Sequence, residues 1–322
     1  MALIDFSSCP VINTKLYGGS NGKKIGIIFN NEKYLLKFSS KNKGKYSNSV
    51  ISEYIACHIF NLLGFSTQET ILGKYKNGKK YLVVACKDFT EPNKIFYDFA
   101  SLKNSIINSS KLGFGTELDE VLDVILEQNL YDKVKLKEFF WQMFIVDSFV
   151  GNFDRHNGNW GFLVDNKTNQ VLIAPIFDCA SCLYPKIDDE NIKNILDNEK
   201  ELEKRVFTFP NSALKKTFKL SPYFYINSFE NVDCNRALFE IFPRIDMKKV
   251  DEIIDNTPYI SDVRKNFYKI ILSKRYEMVL KPAYELLIKK NSLCYPSDTS
   301  NIIISKNPRI VNKAMRSFFL FV

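Results

Sequence analysis

Asp154 and Asn159 stand five positions apart in Gly151-Asn152-Phe153-Asp154-Arg155-His156-Asn157-Gly158-Asn159, a loop between an expected long helix and an expected strand. Phosphoryl transfer to a hydroxyl requires a carboxylate beside the attacking oxygen and metal ligands that bridge the nucleotide phosphates. A tight loop with this spacing supplies both: Asp154 as the base at the acceptor hydroxyl, and the Asn159 amide oxygen as a magnesium ligand. Magnesium takes oxygen ligands and few protein groups. A second carboxylate should therefore arrive from elsewhere in the chain, and Asp178 fits. It ends the apolar run Val171-Leu172-Ile173-Ala174-Pro175-Ile176-Phe177, expected as a strand. A turn over residues 166–169 folds this run back on strand 160–164 as a hairpin. Singly, these residues have ordinary uses. An Asp in a loop forms turns, Asp178 can cap a strand, and His156 can be a hydrogen-bonded structural residue. The ordered set of helix, D-x-x-x-x-N loop, hairpin and strand-terminal Asp is what points to magnesium-dependent phosphotransfer from ATP.

Complementary parts lie nearer the N-terminus. Gly18, Gly19, Ser20, Asn21, Gly22 and Lys23 form a turn-rich stretch between two expected strands. Free backbone N–H groups there can approach phosphates, with Lys23 at the end as a further contact. The spacing is not that of a Walker A loop, and an ordinary hairpin loop is the competing reading. In strand 33–38, Tyr34, Leu36 and Phe38 share one face, and Lys37 shares the other with Leu35. An inward Lys37 would meet the α- and β-phosphates. Glu53 falls in the first turn of the next helix. There it either favours the helix dipole, by about 0.3–1 kcal/mol, or forms a salt bridge that positions Lys37. Gly-rich loop, strand Lys, helix Glu, D-x-x-x-x-N loop and Asp follow one another in the order of a kinase.

The elements that must position these groups are legible as pattern. Residues 4–6, 11–16, 24–29 and 33–38 read as strands, with a hairpin turn at Asn30-Asn31. Residues 49–63 carry apolar side chains at helical spacing, with Ser49 as expected N-cap and Gly64 just past the end. Residues 70–75 and 80–85 read as a hairpin through Asn77-Gly78. Beyond residue 90 the pattern is mainly helical: 117–128, 134–150 ending at Gly151, then 188–204, 235–243, 246–256 and 261–290. Residues 183–220 are less regular and are expected to hold a mobile segment. The lobe boundary is expected within 86–92, giving 1–88 and 89–322.

Composition sets the frame. Hydrophobic residues make up 45% of the 322-residue chain, which is globular. A net charge of +9 favours anionic partners such as nucleotides. The basic run at 37–45 reads as a loop more than as a nucleic-acid patch, and no nucleic-acid partner is expected. Seven scattered cysteines argue for a reducing compartment. Cys179 and Cys182 form a lone C-x-x-C, read as two buried side chains, since the only histidines are His58 and His156. No signal peptide or stretch of about 20 apolar residues is evident, so no stable membrane insertion is expected.

At Gly18 to Lys23, Lys37, Ser52-Glu53-Tyr54, Leu62-Leu63-Gly64, Asp154 to Asn159 and Pro175-Ile176-Phe177-Asp178, the chain resembles the HipA-like kinases, a bacterial serine/threonine kinase family. The resemblance implies an α+β, two-lobed, protein-kinase-like fold with a small sheet-rich N-lobe and a larger helical C-lobe. It implies a protein substrate with a Ser/Thr acceptor, and autophosphorylation. Gly19 to Lys23 would cover the phosphates, and Ala85, Cys86 and Lys87 would be the hinge that meets adenine. Asp154 would be the base, His156 and Asn159 would lie at the nucleotide and metal, and Asp178 would bind magnesium. The cytoplasm is the expected compartment, with secretion into a host cell the other one. Two departures stand out. The family's regulatory serine is Leu16 here, with Ser20 as substitute, and Gly158 stands where a lysine is common. The catalytic loop also resembles that of phosphoinositide kinases, which makes a lipid kinase the second reading. A non-catalytic nucleotide-binding scaffold is the third.

Overall fold

Alternation along residues 32–38 decides the N-terminal architecture. A computed structural model describes residues 4–12, 24–39, 41–42, 45–90, 93–107 and 111–293. Its first strands are β1 (Ile4–Asp5), β2 (Val11–Ile12), β3 (Lys24–Phe29) and β4 (Glu32–Phe38), followed by a small ladder of β5 (Lys41–Asn42) and β6 (Lys45–Tyr46). Helix α1 (Ser49–Leu62) and the hairpin β7 (Thr70–Asn77) and β8 (Lys79–Lys87) complete the lobe. Six strands form one sheet in the order β1-β7-β8-β4-β3-β2, with β1 parallel to β7 and the remaining pairs antiparallel. Tyr34, Leu36 and Phe38 enter a core with Phe6, Ile27, Tyr75, Val83 and Ala85 on one face. Lys37 is left on the other face, as the pleat requires.

The turns explain themselves chemically. Asn30 and Asn31 both take positive φ, 49° and 62°, the signature of a type I′ hairpin turn. Gly64, just past α1, sits at φ +92°. Asn48 precedes α1 without a side-chain cap, and Ser49 is already helical. The backbone N–H of Asn48 instead donates to the Pro185 carbonyl at 2.8 Å, and the other end of α1 is met by Arg244, whose Nη1 donates to the Leu63 carbonyl at 3.3 Å.

The larger lobe begins with a strand that the pattern does not announce. Strand β9 (Lys94–Asp98) pairs with β10 (Gly161–Asp165), which pairs in turn with β11 (Val171–Ile173). Helices α2 (Phe99–Ile106), α3 (Leu118–Glu127) and α4 (Lys133–Val150) precede the catalytic-type loop. Helix α4 is the buried spine: Trp141 stacks on Tyr225, and Phe140 packs against Trp160. Helices α5 (Asp189–Leu196), α6 (Glu199–Glu203), α7 (Pro222–Ser228), α8 (Val232–Ile241), α9 (Met247–Asn256), α10 (Asp262–Arg275) and α11 (Lys281–Leu293) follow. The expected helix 188–204 is two helices, because Asn198 caps α6 through its side chain. The expected helix 261–290 is interrupted by a π turn over Tyr276–Leu280.

Residues 183–220, read as irregular and as holding a mobile segment, are bonded to Arg275 at Tyr184 and Arg205. The buried guanidinium of Arg275 reaches the Phe149 carbonyl at 3.1 Å, the Tyr184 hydroxyl at 2.9 Å and the Arg205 carbonyl at 3.1 Å. The described residues form an α+β fold, a six-stranded sheet with α1 followed by a mainly helical part, within a compact unit that extends to Glu285. Residues 286–293 continue α11. No helix among the described residues is long and apolar enough to cross a membrane.

Gly151 ends α4 at φ +71°, and a Cβ there would lie 2.4 Å from Nη1 of Arg275. Gly151→Ala is expected to cost about 1–3 kcal/mol. A fall in melting temperature of roughly 2–4 °C per kcal/mol, read by scanning fluorimetry, checks this.

Candidate active site

Lys37 projects from β4 toward α1, where Glu53 is fully buried. Its Nζ lies 3.1 Å from Glu53 Oε2 and 2.9 Å from Asp178 Oδ1. Burial works against the ammonium, but the two carboxylates outweigh it and hold Lys37 well above its ordinary value. Lys37 in turn holds the Asp178 carboxyl below its ordinary range, against burial. Glu53 is different. Burial pushes its carboxyl up to about 7, with Lys37 opposing and Asp178 adding to the rise. One cation thus faces two carboxylates, and the drier one carries the strain.

Helix α4 delivers the loop. Its last turns carry Asp147, a buried carboxylate amid apolar neighbours. Asp147 accepts from Arg155 Nε at 2.9 Å and from Asn152 Nδ2 at 2.9 Å. Arg155 then spends its remaining N–H groups on the site itself: Nη1 donates to the Asn159 carbonyl at 3.0 Å and to the Phe177 carbonyl at 2.7 Å. This one side chain ties the loop to the residue just before Asp178. Within the loop, Asp154 N–H donates to Asn152 Oδ1 at 3.1 Å, and Asn159 Nδ2 donates to the Asp154 carbonyl at 2.8 Å. Gly158 N–H donates to His156 Nδ1 at 3.1 Å, which makes Nε2 the protonated nitrogen of the neutral ring.

Asp178 reaches the site by a different route from the one its sequence implies. Strand β11 stops at Ile173, since Pro175 cannot donate to a ladder. Ile176 instead forms a parallel bridge with Thr67 across the lobes: its N–H donates to the Ser66 carbonyl at 2.8 Å, and its carbonyl accepts from Gln68 N–H at 2.8 Å. Asp178 itself adopts φ +53°, a left-handed conformation that Asp tolerates better than most residues.

Asp154 and Asp178 lie close enough to interact electrostatically. Burial raises the Asp154 carboxyl above its ordinary value, and Asp178 adds to this. His156, Lys219 and the nearby Ser181 hydroxyl oppose it. Among the described residues, no group of three or more His, Cys, Asp or Glu side chains could hold a metal by itself. The donors present do fit magnesium shared with phosphates. Asn159 has its nitrogen committed to Asp154, which leaves its amide oxygen as donor, and Asp178 is a carboxylate more than a third exposed.

The remaining expected residues are placed as follows. Gly18, Gly19, Ser20, Asn21, Gly22 and Lys23 lie outside the described residues, as does Leu16. Ala85, Cys86 and Lys87 close β8, which lies between β4 and β7, so the backbone of Ala85 and Cys86 is engaged in the ladder. Lys87 N–H donates to the Glu69 carbonyl at 2.9 Å, and its carbonyl accepts from Gln68 Nε2 at 2.9 Å. The chain leaves the sheet only after it. Cys179 and Cys182 are fully buried. At Gly158, a Cβ would lie 2.7 Å from the ring edge of Phe114, so a side chain there requires that half-exposed ring to move. Sequence reasoning missed the roles of Asp147, Arg155, Asn157 and Ser181. A carboxylate inside an apolar helical run, eight residues before an arginine, was the available signal.

The family model described as HipA-like C-terminal domain matches residues 18–252. The chain is 45% identical over 295 residues, 90% of its own length and 90% of the relative's, to the serine/threonine-protein kinase CtkA of Helicobacter pylori strain J99. The crystal structure of a Helicobacter pylori proinflammatory kinase CtkA superposes with a TM-score of 0.86 at 44% identity, covering 92% of this chain and 100% of that one. HipA of Shewanella oneidensis MR-1, from its complex with HipB and operator DNA, gives a TM-score of 0.53 at 14% identity over 88% of this chain and 75% of that one. That second likeness concerns the fold alone.

The raised Glu53 carboxyl has a signed consequence. Between its ordinary value of 4.5 and about 7, the folded protein holds a proton that the unfolded chain releases. Stability from this group therefore rises as pH falls through that window. The melting temperature of the wild type minus that of Glu53→Gln should grow from pH 7.5 to pH 5. A flat difference means that Glu53 stays ionised throughout.

Proposed function

The chain belongs to the HipA-like C-terminal domain family, and from that premise we propose that it is a serine/threonine protein kinase using ATP and magnesium. The observation that carries the proposal is the meeting of Lys37 with Glu53 and Asp178 at 3.1 and 2.9 Å, beside a loop that holds Asp154 and Asn159.

Each residue then has work to do. Glu53 keeps the Lys37 ammonium at a fixed point in the cleft, ready for the α- and β-phosphates, and Gly19 to Lys23, outside the described residues, would contribute the phosphate contacts that the family resemblance implies. Adenine would lie at the end of β8, at Ala85, Cys86 and Lys87; Cys86 shares the sheet face of Lys37. Asp178 and the Asn159 amide oxygen would hold magnesium, which when bound neutralises phosphate charge. Asp154 accepts the proton of the attacking hydroxyl. Its raised carboxyl moves it toward the working pH of a base. His156 shapes the loop through its Nδ1 contact with Gly158, with its other nitrogen left for the nucleotide. Autophosphorylation belongs to the same proposal, as transfer to a hydroxyl of the chain itself.

Asp154→Ala should slow transfer from radiolabelled ATP to a protein acceptor by about 10²–10⁴-fold while nucleotide binding persists. A wild-type rate in that variant removes Asp154 from the mechanism. Asp178→Ala should lose magnesium-dependent ATP affinity in titration calorimetry. Unchanged affinity would put the metal elsewhere.

A further inference from the structure

Residues 212–220 fold back on themselves beside the catalytic loop. Lys215 and Lys219 form an antiparallel bridge, Ser212 N–H donates to the Leu220 carbonyl at 2.8 Å, and Leu220 N–H donates to the Leu214 carbonyl at 2.8 Å. This hairpin is fastened to the segment before α3. Lys215 N–H donates to the Thr116 carbonyl at 3.0 Å, Leu118 N–H to the Lys215 carbonyl at 2.8 Å, and Thr116 Oγ1 to the Ala213 carbonyl at 2.7 Å. The same segment is clamped to the catalytic loop by Asn157, whose Nδ2 donates to the carbonyls of Gly113 and Gly115 at 2.8 and 2.7 Å. Buried Lys103 adds to that clamp, with its Nζ 2.7 Å from the Gly115 carbonyl and 2.6 Å from Glu120. An unbroken chain of hydrogen bonds thus fixes the hairpin relative to Asp154, three residues from Asn157.

The three lysines of the hairpin are used differently. Lys215 pairs with Glu117 at 3.0 Å. Lys216 faces Glu230 at 3.8 Å and lies over the Tyr225 ring. Lys219 is exposed and, among the described residues, has no ion pair within 4 Å, yet its charge acts on Asp154. Phe218, next to it, is 82% exposed, and Phe114, whose ring meets His156, is 50% exposed. Phe218 and Lys219 thus stand side by side in solvent on the hairpin that is bonded to the catalytic loop.

Resting on the kinase reading, we propose that hairpin 212–220 reads the acceptor: Lys219 receives a carboxylate side chain flanking the acceptor hydroxyl, and Phe218 covers an apolar neighbour. The substrate class is then a Ser/Thr in an acidic, partly apolar segment. Charge complementarity selects this occupant, because Lys215 and Lys216 already face carboxylates whereas Lys219 is exposed and, among the described residues, has no ion pair within 4 Å.

Three peptides that differ only beside one serine, carrying Glu, Ala or Lys, test this with the full chain and magnesium-ATP. The wild type should show the lowest KM for the Glu peptide. Lys219→Glu should raise that KM by about five- to tenfold, favour the Lys peptide, and leave KM for ATP unchanged. Phe218→Ala should raise KM for all three peptides while sparing KM for ATP. Equal efficiency of the wild type on the three peptides overturns the proposal. So does a Lys219→Glu variant that slows all three equally or raises KM for ATP, since Lys219 would then serve the phosphates. Failure of the wild type to label any acceptor, itself included, sinks the kinase reading as well and is told apart by that.

Discussion

A single ammonium group holds this active site together. Lys37 comes from the sheet, Glu53 from α1 and Asp178 from the C-lobe, and their charged ends meet within 3.1 Å. Burying an ion is costly unless partners replace its water. Lys37 has that replacement only when both lobes are assembled, so the fold of each lobe and the shape of the cleft are set by the same contact. The surplus negative charge falls on Glu53, which is why its carboxyl is the one displaced toward neutrality.

A second buried ion pair does for the C-lobe what Lys37 does for the cleft. Asp147 and Arg155 are both nearly dry, and the arginine has N–H groups left over after satisfying the carboxylate. These go to the carbonyls of Asn159 and Phe177, and to the Cys179 sulfur at 3.3 Å. Asn159 and Asp178 are therefore held by one rigid fork, in the planar geometry that Arg offers and Lys does not. The loop gains its shape from within: Asp154, Asn159 and His156 each use one polar atom to build the loop.

Much of this was legible because it is local. The period of two in β4 put Lys37 opposite the aromatic face, and Asn30-Asn31 named its own turn. The D-x-x-x-x-N spacing and the apolar run before Asp178 marked the loop and the carboxylate that meets Lys37. What was illegible depends on distant partners. Strand β9 leaves Ile95 exposed and half-buries Phe96 and Tyr97, so it lacks the alternation that announces a strand. The strand before Asp178 was read too long because Ile176 pairs with Thr67, more than a hundred residues away, rather than continuing its own hairpin. The Asp147–Arg155 pair was hidden for the same reason: neither residue says alone that it will be buried. Residues 183–220 looked irregular, yet Arg275, far along the chain, supplies the bonds that order them.

The ends of α1 carry a final consequence. Its start is bonded to Pro185 and its exit to Arg244, both in the other lobe, and the neighbouring Ser66 and Gln68 grip Ile176 on either side. A helix so moored cannot swing outward on a hinge without breaking four hydrogen bonds along with the Lys37 contacts. The Lys37, Glu53 and Asp178 contacts of the cleft are held in place by these moorings. Displacing this helix as an on–off switch is therefore disfavoured by construction.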